Sequence, residues 1–421
     1  MVSNRDASPT ETAAKGDALT TTRCPDVLAS LLEYSESVSQ RLVQRVGLVL
    51  EYPVVFTRDV FDPANQVLAE TLSRREQRRH RVAVVIDGGV AACWPELGSE
   101  IERYVHHHVE AIQLAGSPWV IAGGEAAKQD DVLAGLHRAL AARKIDRHSY
   151  VLAIGGGALL DVVGYAAATL HRGVRLVRMP TTVLAQNDAG IGVKNGINAF
   201  GAKNFLGTFA APFAVINDSR FLSTLQRRDQ IAGIAEAVKV ALIRDPDFFR
   251  WIDENADVLA AFESGPVEHL IRRCAELHLD HIAVRGDPFE QNNTRPLDFG
   301  HWAAHKLEML TDHALRHGEA VAIGIGLDCA YSVEAGYLGE RDHNATLGLL
   351  QRLQLPVWHA RLRDSALIDG LGEFREHLGG ELCITLLHGV GRSIEVHEVC
   401  ADTLGRAIDR LDNARKMPPA S

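Results

Sequence analysis

The chain has 421 residues, a formal net charge of -10 at neutral pH and 46% apolar residues. This length can bury a large core and indicates two domains. The acidic balance, without a cluster of lysines and arginines, argues against nucleic-acid binding. The lack of a long apolar run argues against a membrane span. The six cysteines are scattered without a Cys-x-x-Cys pair. This is typical of free thiols in a reducing cytoplasm, where we expect the protein to act.

The predicted elements begin after a polar tail, residues 1–22, which we expect to be disordered and which has no signal-peptide core. Within residues 23–225, continuous apolar runs predict buried parallel strands, and helical periodicity lies between them. The strands are predicted at Arg81–Asp87, Trp119–Ala122, Val151–Ile154 and Val174–Val177, and the helices at Asp131–Arg143 and Leu159–Leu170. This alternation predicts an α/β domain with a Rossmann-like parallel sheet.

From about Leu225 the pattern changes to nearly continuous helix, which defines a second predicted domain at residues 226–421. The helices are predicted at Gln230–Ile243, Phe248–Phe262, Val267–Val284, Gly300–Leu310 and Gly318–Ala335. We therefore expect an N-terminal dinucleotide-binding domain followed by an all-helical domain.

A three-glycine turn, Gly155, Gly156 and Gly157, separates a predicted strand from a predicted helix. Backbone N–H groups and the helix dipole at such a helix start favour an anion. The triplet alone is often only a tight turn, and it is not the Gly-x-Gly-x-x-Gly fingerprint. Asp87 ends another strand, where its carboxylate either accepts ribose hydroxyl groups or simply forms the turn.

A second group of phosphate-binding candidates follows in a glycine-rich segment. It contains Lys194, Lys203 and Asn204. A dinucleotide and a phosphorylated substrate lying side by side would need both groups.

Taken in order, these motifs resemble the 3-dehydroquinate synthase superfamily of sugar phosphate cyclases. The matching segments are Gly155–Asp161, His171–Gly173, Pro180–Thr182, Asp188 with Lys194, Gly201–Asn204, Ala235–Lys239, Phe299–His301 and His317–Glu319. Each segment is weakly specific alone. The ordered set, which extends over residues 82–380, is highly specific.

The resemblance implies NAD as a cofactor, bound mainly by the first domain. The implied contacts are Asp87, Glu125, Lys128, Gly155, Gly156, Gly157, Asp161, Thr181 and Thr182. An acidic ribose contact prefers NAD to its 2′-phosphorylated form.

The resemblance also implies one divalent metal ion, Zn²⁺ or Co²⁺, with Glu236, His301 and His317 as ligands. One carboxylate and two imidazoles are the composition of an open catalytic zinc site. The three residues lie on different predicted elements, so spacing alone would not select them among 19 histidines. The solvated segment His106–His108 is an example of histidines without such a role.

The family match assigns further residues to catalysis and substrate binding. The catalytic residues are Lys239, Asp188, His305 and Lys194, and the substrate contacts are Arg172, Lys203, Asn204, His278, Arg295, Asp298 and Arg375. Lys239 follows Glu236 by three residues and shares its helix face, although most lysines are simply exposed. His305 could instead support a ligand or pack. Arg172 matches an arginine that reaches the neighbouring subunit's site, which implies a homodimer. Arg375 replaces a late phosphate-binding lysine in a loose alignment.

The implied activity is that of a carbon–oxygen lyase that borrows a hydride. In the family, an alcohol is transiently oxidised by NAD, phosphate is eliminated, the ketone is reduced again and an intramolecular aldol reaction closes a carbocycle. Stabilisation of the enolate by the metal and Lys239 is expected to be the largest contribution of the protein.

The chain departs from dehydroquinate synthase where that enzyme holds a substrate carboxylate. The lysine of that site is His278 here, the arginine is Thr294 with Arg295 beside it, and the asparagine is Asp298. A neutral substrate end therefore fits better, and sedoheptulose 7-phosphate has one. This favours a valiolone synthase-type branch, or a gene-cluster-associated dehydroquinate synthase-like branch, over 3-dehydroquinate synthase of the shikimate pathway.

Two other classes of function stay open. A metal- and NAD-dependent polyol dehydrogenase shares the two-domain plan, but a polyol needs no second phosphate site such as the one predicted at Lys194 and Lys203. A scaffold that binds NAD or a partner without catalysis is disfavoured by the intact metal set and by Lys239.

Overall fold

The structure is a computed structural model that describes residues 42–47, 49–285, 296–377 and 380–416. The predicted tail at 1–22, Thr294 and Arg295 lie outside the described residues. Residues 42–47 and 49 have no regular secondary structure and belong to a unit of their own, Met1–Val49. All elements below belong to the unit Leu50–Ser421.

A seven-stranded parallel sheet and two antiparallel strand pairs make up the β structure. The strands are β1 (Val54–Thr57), β2 (His80–Asp87), β3 (Ile112–Leu114), β4 (Trp119–Ile121), β5 (Tyr150–Gly155), β6 (Arg175–Pro180), β7 (Lys194–Ala199), β8 (Ala202–Phe209), β9 (Ala214–Asp218), β10 (Ile384–Leu387) and β11 (Ser393–Val396). The sheet order is β1-β9-β6-β5-β2-β3, with β4 also paired to β2. Strands β7 and β8 form a separate hairpin, and β10 pairs with β11.

The helices connect the strands and then fill the second half of the unit. They are α1 (Val67–Ser73), α2 (Gly88–Cys93), α3 (Leu97–His107), α4 (Asp130–Ala142), α5 (Gly157–Thr169), α6 (Arg227–Ala232), α7 (Ala235–Arg244), α8 (Pro246–Glu254), α9 (Ala256–Ala260), α10 (Ser264–Asp280), α11 (His301–Leu310), α12 (His317–Glu334), α13 (Glu340–Arg352), α14 (Ala366–His377) and α15 (Ala401–Ala414).

The central strands are apolar on both sides because both faces of the sheet are covered. In β2, Val84 and Ile86 belong to one apolar cluster, whereas Ala83 and Val85 belong to the cluster on the other face. Alternate residues of a strand point to opposite faces, so a strand buried on both sides reads as one continuous apolar run. The predicted parallel α/β sheet is therefore confirmed.

The second half is built around α12, whose residues are buried on nearly all sides. This helix packs against α7, α11, α13 and α15. A helix that is apolar all round belongs in the centre of a helical bundle. The predicted helical half is confirmed, with the pair β10–β11 as an addition that the sequence did not indicate.

Two predicted helices are each divided in the structure. Residues 230–243 span the end of α6 and most of α7, which are separated near Gly233. A Cβ at Gly233 would lie 2.5 Å from Val183 Cβ, so the chain turns there in close contact with the sheet half. Residues 248–262 are divided between α8 and α9 at Asn255, whose φ and ψ are not helical.

The domain boundary near residue 225 stays a prediction, because the structure forms one compact unit over Leu50–Ser421. The described cysteines are free thiols, as predicted: Cys93, Cys274, Cys329, Cys383 and Cys400. Among the described helices, none has both the length and the apolar character that crossing a membrane would require.

Candidate metal and cofactor site

The three predicted metal ligands come from the first turns of three helices and converge in the structure. Glu236 is in the first turn of α7, His301 begins α11 and His317 begins α12. Their candidate ligand atoms all lie within 4.8 Å of one another. Glu236 Oε1 is 3.5 Å from His301 Nε2 and 3.7 Å from His317 Nε2. Two ligands of one tetrahedral zinc ion are about 3.4 Å apart, so this spacing suits a metal.

Two glycines of α12 allow these helix starts to meet. A Cβ at Gly318 would lie 1.8 Å from Ala232 O, and a Cβ at Gly324 would lie 1.9 Å from Gly300 O. Any larger side chain would therefore separate α12 from the end of α6 or from the residue that precedes α11.

Glu236 fits a metal ligand because its carboxylate is fully buried but poorly satisfied. Lys239 Nζ is an ion-pair neighbour at 2.5 Å. Neither carboxylate oxygen receives a hydrogen bond of normal geometry from the described residues. Burial opposes ionisation, but the charges of Lys239 and His317 outweigh it and lower the pKa of Glu236 to about 2. Buried carboxylates usually need a strong partner, and a divalent cation would supply one.

The two histidines have hydrogen bonds that direct Nε2 towards Glu236. His301 Nδ1 donates to Phe299 O at 3.1 Å, and His317 Nδ1 donates to Glu308 Oε2, also at 3.1 Å. Burial lowers the pKa of His301 well below its usual value, with Lys239 adding to the effect. A metal-binding imidazole commonly donates its other N–H to a carbonyl or a carboxylate, so both rings are oriented as ligands.

Lys239 and Asp188, both predicted to be catalytic, lie next to this cluster. Burial would lower the pKa of Lys239, but the charges of Glu236, Asp188 and Asp298 raise it above its usual value. Asp188 Oδ1 is 2.9 Å from Nδ1 of the predicted substrate residue His278. A lysine surrounded by carboxylates keeps its positive charge at neutral pH.

The three-glycine turn has the predicted strand–turn–helix form. Gly155 ends β5, Gly156 precedes α5 and Gly157 begins it. A Cβ at Gly155 would lie 2.8 Å from the Leu159 side chain and 2.9 Å from Asp87 Cβ. The close approach explains glycine at this position, and no side chain caps the start of α5, where N–H groups favour an anion.

The remaining predicted NAD contacts surround the turn but have protein partners of their own. Asp87 caps α2 by accepting a hydrogen bond from Gly89 N at 2.7 Å. This is the second of the two roles expected from the sequence, in which Asp87 forms the turn after its strand. Thr181 N donates to Gly155 O, and Thr182 Oγ1 accepts from Ala185 N.

The buried Lys128 pairs with the partly buried Asp161, with Lys128 Nζ 2.7 Å from Asp161 Oδ2. Lys128 Nζ also contacts Asn204 Oδ1. Burial raises the pKa of Asp161 in spite of Lys128. This pair joins the predicted cofactor-binding segment to the β7–β8 hairpin, which carries the predicted phosphate ligands.

The hairpin contacts a predicted NAD residue, Glu125, and also Glu308 beside the candidate metal cluster. Lys203 Nζ is 3.2 Å from Glu308 Oε1 and 3.7 Å from Glu125 Oε1. Glu125 also accepts a hydrogen bond from Asn198 of the hairpin. Lys194 begins β7 with an exposed side chain.

The structure brings some predicted residues together and leaves others apart. His305 is exposed but lies beside the cluster: its ring centroid is 5.5 Å from that of His301 and 6.0 Å from that of His317, and its candidate ligand atom is within 4.8 Å of those of Glu308 and His317. Arg172 is exposed in the short turn after α5, with a φ of 63°, and Arg375 is exposed on α14. No described side chain forms a hydrogen bond or ion pair with these two arginines. Arg295 lies outside the described residues.

Three buried residues that support the site were missed in the sequence. Glu308 holds His317 and Lys203. Arg178, completely buried in β6, donates to the carbonyl groups of Gly190, Gly192 and Lys194 and so fixes the start of β7. Asp328 accepts hydrogen bonds from Gly300 N and Trp302 Nε1, both at 2.8 Å. A charged residue inside an apolar strand or helix is the signal that could have indicated Arg178 and Asp328.

Known proteins match this chain over most of its length, and two family models match consecutive parts of it. Residues 118–232 match the family model for the N-terminal part of 3-dehydroquinate synthase, and residues 233–373 match the model for its C-terminal part. A 2-epi-5-epi-valiolone synthase of Actinomyces sp is 31% identical over 371 residues, which are 86% of this chain and 95% of that protein. A 3-dehydroquinate synthase of Roseobacter denitrificans is 36% identical over 334 residues, which are 77% of this chain and 87% of that protein.

A solved structure is similar over nearly the same length. It is ValA, the 2-epi-5-epi-valiolone synthase of Streptomyces hygroscopicus subsp. jinggangensis, with NAD⁺ and Zn²⁺ bound. The TM-score is 0.78 at 29% identity, and the match covers 88% of this chain and 100% of that chain.

Proposed function

Because the chain belongs to the 3-dehydroquinate synthase family of sugar phosphate cyclases, we propose that it converts sedoheptulose 7-phosphate to a C7 cyclitol. The reaction would use NAD and one divalent metal ion, Zn²⁺ or Co²⁺, and would release phosphate as a carbon–oxygen lyase. The convergence of Glu236, His301 and His317 beside Lys239 carries this proposal.

The residues present fit both cofactors. Glu236, with its unsatisfied buried oxygens, and the Nε2 atoms of His301 and His317 would hold the metal. The turn at Gly155–Gly157 and the start of α5 would receive the NAD pyrophosphate. When bound, NAD accepts and returns a hydride, and the metal polarises substrate oxygens.

Lys239 would stabilise the negative charge that develops while phosphate leaves. Its ammonium group is buried, positively charged and fixed by Glu236, so it needs little reorganisation during the reaction. Preorganised charges of this kind contribute most to catalysis in sites that exclude water. Asp188 Oδ1 and His278 Nδ1, 2.9 Å apart, would orient substrate hydroxyl groups on the side of the site where Lys239 lies.

The preference for a neutral substrate end rests on the charges around Lys239. Asp188 and Glu236 face this lysine, and Asp298 contributes a third carboxylate. His278, at the position of a carboxylate-binding lysine in the family, faces Asp188 instead of being free to bind an anion. A substrate carboxylate placed here would meet like charges, whereas a hydroxymethyl group would not.

The assembly and location of the enzyme are also part of this proposal. We propose a homodimer in which Arg172 reaches the partner's substrate phosphate, since its side chain is exposed. A cytoplasmic enzyme agrees with the five described free thiols.

One assay tests the proposal against its alternatives. The purified protein is incubated with NAD, with Zn²⁺ or Co²⁺, and with equal concentrations of sedoheptulose 7-phosphate and the 3-dehydroquinate synthase substrate. We expect steady release of phosphate, no accumulation of NADH beyond one enzyme equivalent, and a preference of roughly 100-fold or more for the heptose phosphate.

The other outcomes identify the alternatives. Preferential formation of 3-dehydroquinate would show an enzyme like the Roseobacter denitrificans relative, which is the second candidate because of its 36% identity. Continued accumulation of NADH with a polyol would show a dehydrogenase instead.

A further inference from the structure

Glu308 lies between the candidate metal site and the candidate phosphate site. It is 5% exposed and two helical turns after His301 on α11, on the same face as His305. Its Oε2 accepts from His317 Nδ1 at 3.1 Å, and its Oε1 is 3.2 Å from Lys203 Nζ. One buried carboxylate therefore joins α12 of the helical half to the β7–β8 hairpin.

The contact with His317 decides which ring nitrogen faces Glu236. Because Nδ1 donates to Glu308, Nε2 is left on the side of Glu236, 3.7 Å from its Oε1. A carboxylate on the distal N–H also makes an imidazole a more basic ligand. His317 thus depends on Glu308 both for orientation and for ligand strength.

Glu308 supports His317 as a ligand, but its contact with Lys203 opposes anion binding at that lysine. The Lys203 side chain is one third exposed, and its charge is met by Glu308 and, at 3.7 Å, by Glu125. A substrate phosphate that approaches Lys203 must compete with these carboxylates. Glu308 therefore weakens phosphate binding at Lys203 while it supports the metal ligand.

We propose that Glu308 is a positioning residue shared between His317 and Lys203. When a phosphate binds Lys203, Glu308 loses its ion pair with Lys203 and interacts with His317 alone. Substrate binding therefore increases the affinity of the site for the metal ion. This inference rests on the proposed function for the roles of His317 and Lys203. It adds a coupling between the two sites through one carboxylate.

The test compares Glu308→Gln with the unchanged protein in two binding measurements, neither of which needs turnover. Zinc affinity is measured by competition with a chelator, and the affinity for inorganic phosphate is measured on the metal-free protein. We expect zinc affinity to fall about 10- to 100-fold. We expect phosphate affinity to rise about 2- to 5-fold, because Lys203 loses a competing ion pair. A residue that only stabilises the fold would not tighten anion binding.

A matched control lies on another face of the same helix. Lys306 pairs with Glu373 there, so Glu373→Gln removes a lysine–glutamate pair from α11 without contact to His317. It should change neither affinity. Unchanged zinc affinity or unchanged phosphate affinity in Glu308→Gln would overturn the proposal.

A second variant keeps the proposal testable if Glu308→Gln does not fold. Lys203→Met removes the ion pair between Lys203 and Glu308, so that Glu308 interacts with His317 alone. Zinc affinity should then rise about 2- to 5-fold, while phosphate affinity falls. A fall in zinc affinity would contradict the sharing of Glu308.

If the unchanged protein binds no zinc at all, the proposed function fails. If zinc and phosphate bind as expected but no sugar phosphate is cyclised, only the substrate assignment fails.

Discussion

Glu236 is a fully buried carboxylate that has a lysine as its neighbour but no hydrogen bond of normal geometry to the described residues. Lys239 supplies the opposite charge, but a buried carboxylate also needs its oxygens hydrogen-bonded or coordinated. Such a residue is tolerated where a ligand completes it. This is the strongest argument at the residue scale that a cation belongs beside Glu236.

Replacing a metal ligand should remove the ion. We expect His317→Ala to lose stoichiometric zinc, because only Glu236 and His301 would be left to hold the ion. Metal content after dialysis, measured by elemental analysis, checks this. His106→Ala, which changes an exposed histidine at the end of α3, is the control and should keep its zinc. Full metal occupancy in His317→Ala would show that the ligand assignment is wrong.

Removing the charge of Lys239 should affect the reaction much more than cofactor binding. We expect Lys239→Met to lower the rate of phosphate release by about 100-fold or more, since the charge acts on the transition state. NAD affinity, measured by titration, should change less than threefold. Lys144→Met, at an exposed lysine after α4, serves as the control. Equal losses in NAD binding and in rate would argue that Lys239 supports the cofactor site instead.

At the scale of elements, the site depends on how closely α12 approaches the start of α11. Gly300 has a φ of 78°, a conformation that favours glycine, and its carbonyl lies against Gly324 of α12. Asp328, one turn further along α12, holds Gly300 and Trp302 on either side of His301. The position of His301 is therefore set by α12 and not by its own helix alone.

A methyl group between these helices should be damaging. Gly324→Ala would place Cβ 1.9 Å from Gly300 O, so we expect a loss of stability of about 1–3 kcal/mol and a weaker zinc site. Chemical denaturation and zinc titration measure the two effects.

Gly348→Ala in α13 is the matched control, because nothing lies within 4 Å of its Cβ. Alanine should stabilise that helix by about 0.4–1 kcal/mol. A Gly324→Ala protein as stable as the control would show that the two helices can separate freely.

At the scale of the whole molecule, Asp328 should make stability depend on pH. Burial raises the pKa of Asp328 to about 7, although the N–H groups of Trp302 and Gly300 favour its charged form. The pKa in the unfolded chain is about 4. Between these values the folded protein holds a proton that the unfolded chain has lost. The stability contributed by this group is therefore fully present below pH 4 and is lost as the pH rises towards 7.

The measurement is the free energy of unfolding of Asp328→Asn relative to the unchanged protein from pH 4 to 8. The difference should change by up to about 1.4 kcal/mol per pH unit between pH 4 and 7 and should be constant above that range. Asp257→Asn, at a side chain that is 89% exposed, is the control. A flat difference for Asp328→Asn would mean that the carboxylate is charged throughout.

Local patterns in the sequence were sufficient for the fold class and for the order of the motifs. The apolar runs of β2 and β5, the glycine turn before α5 and the long apolar helix α12 are each specified by neighbouring residues. The helix ends near Gly233 and Asn255 were not predicted. They depend on packing against other segments and on backbone angles, neither of which hydrophobic periodicity shows. The pair β10–β11 was missed for a different reason: its strands are only four residues long, too short for a clear periodic pattern.

The sequence by itself, read through a family resemblance, selected Glu236, Lys239, His301 and His317, and the structure places them together. Only the tertiary structure showed Glu308 joining His317 to Lys203, Arg178 fixing the start of β7, and Asp328 holding the backbone around His301. The physical reason is burial. A carboxylate or guanidinium acquires these roles only when distant segments exclude water around it and leave one set of partners within hydrogen-bonding distance, which no local spacing specifies.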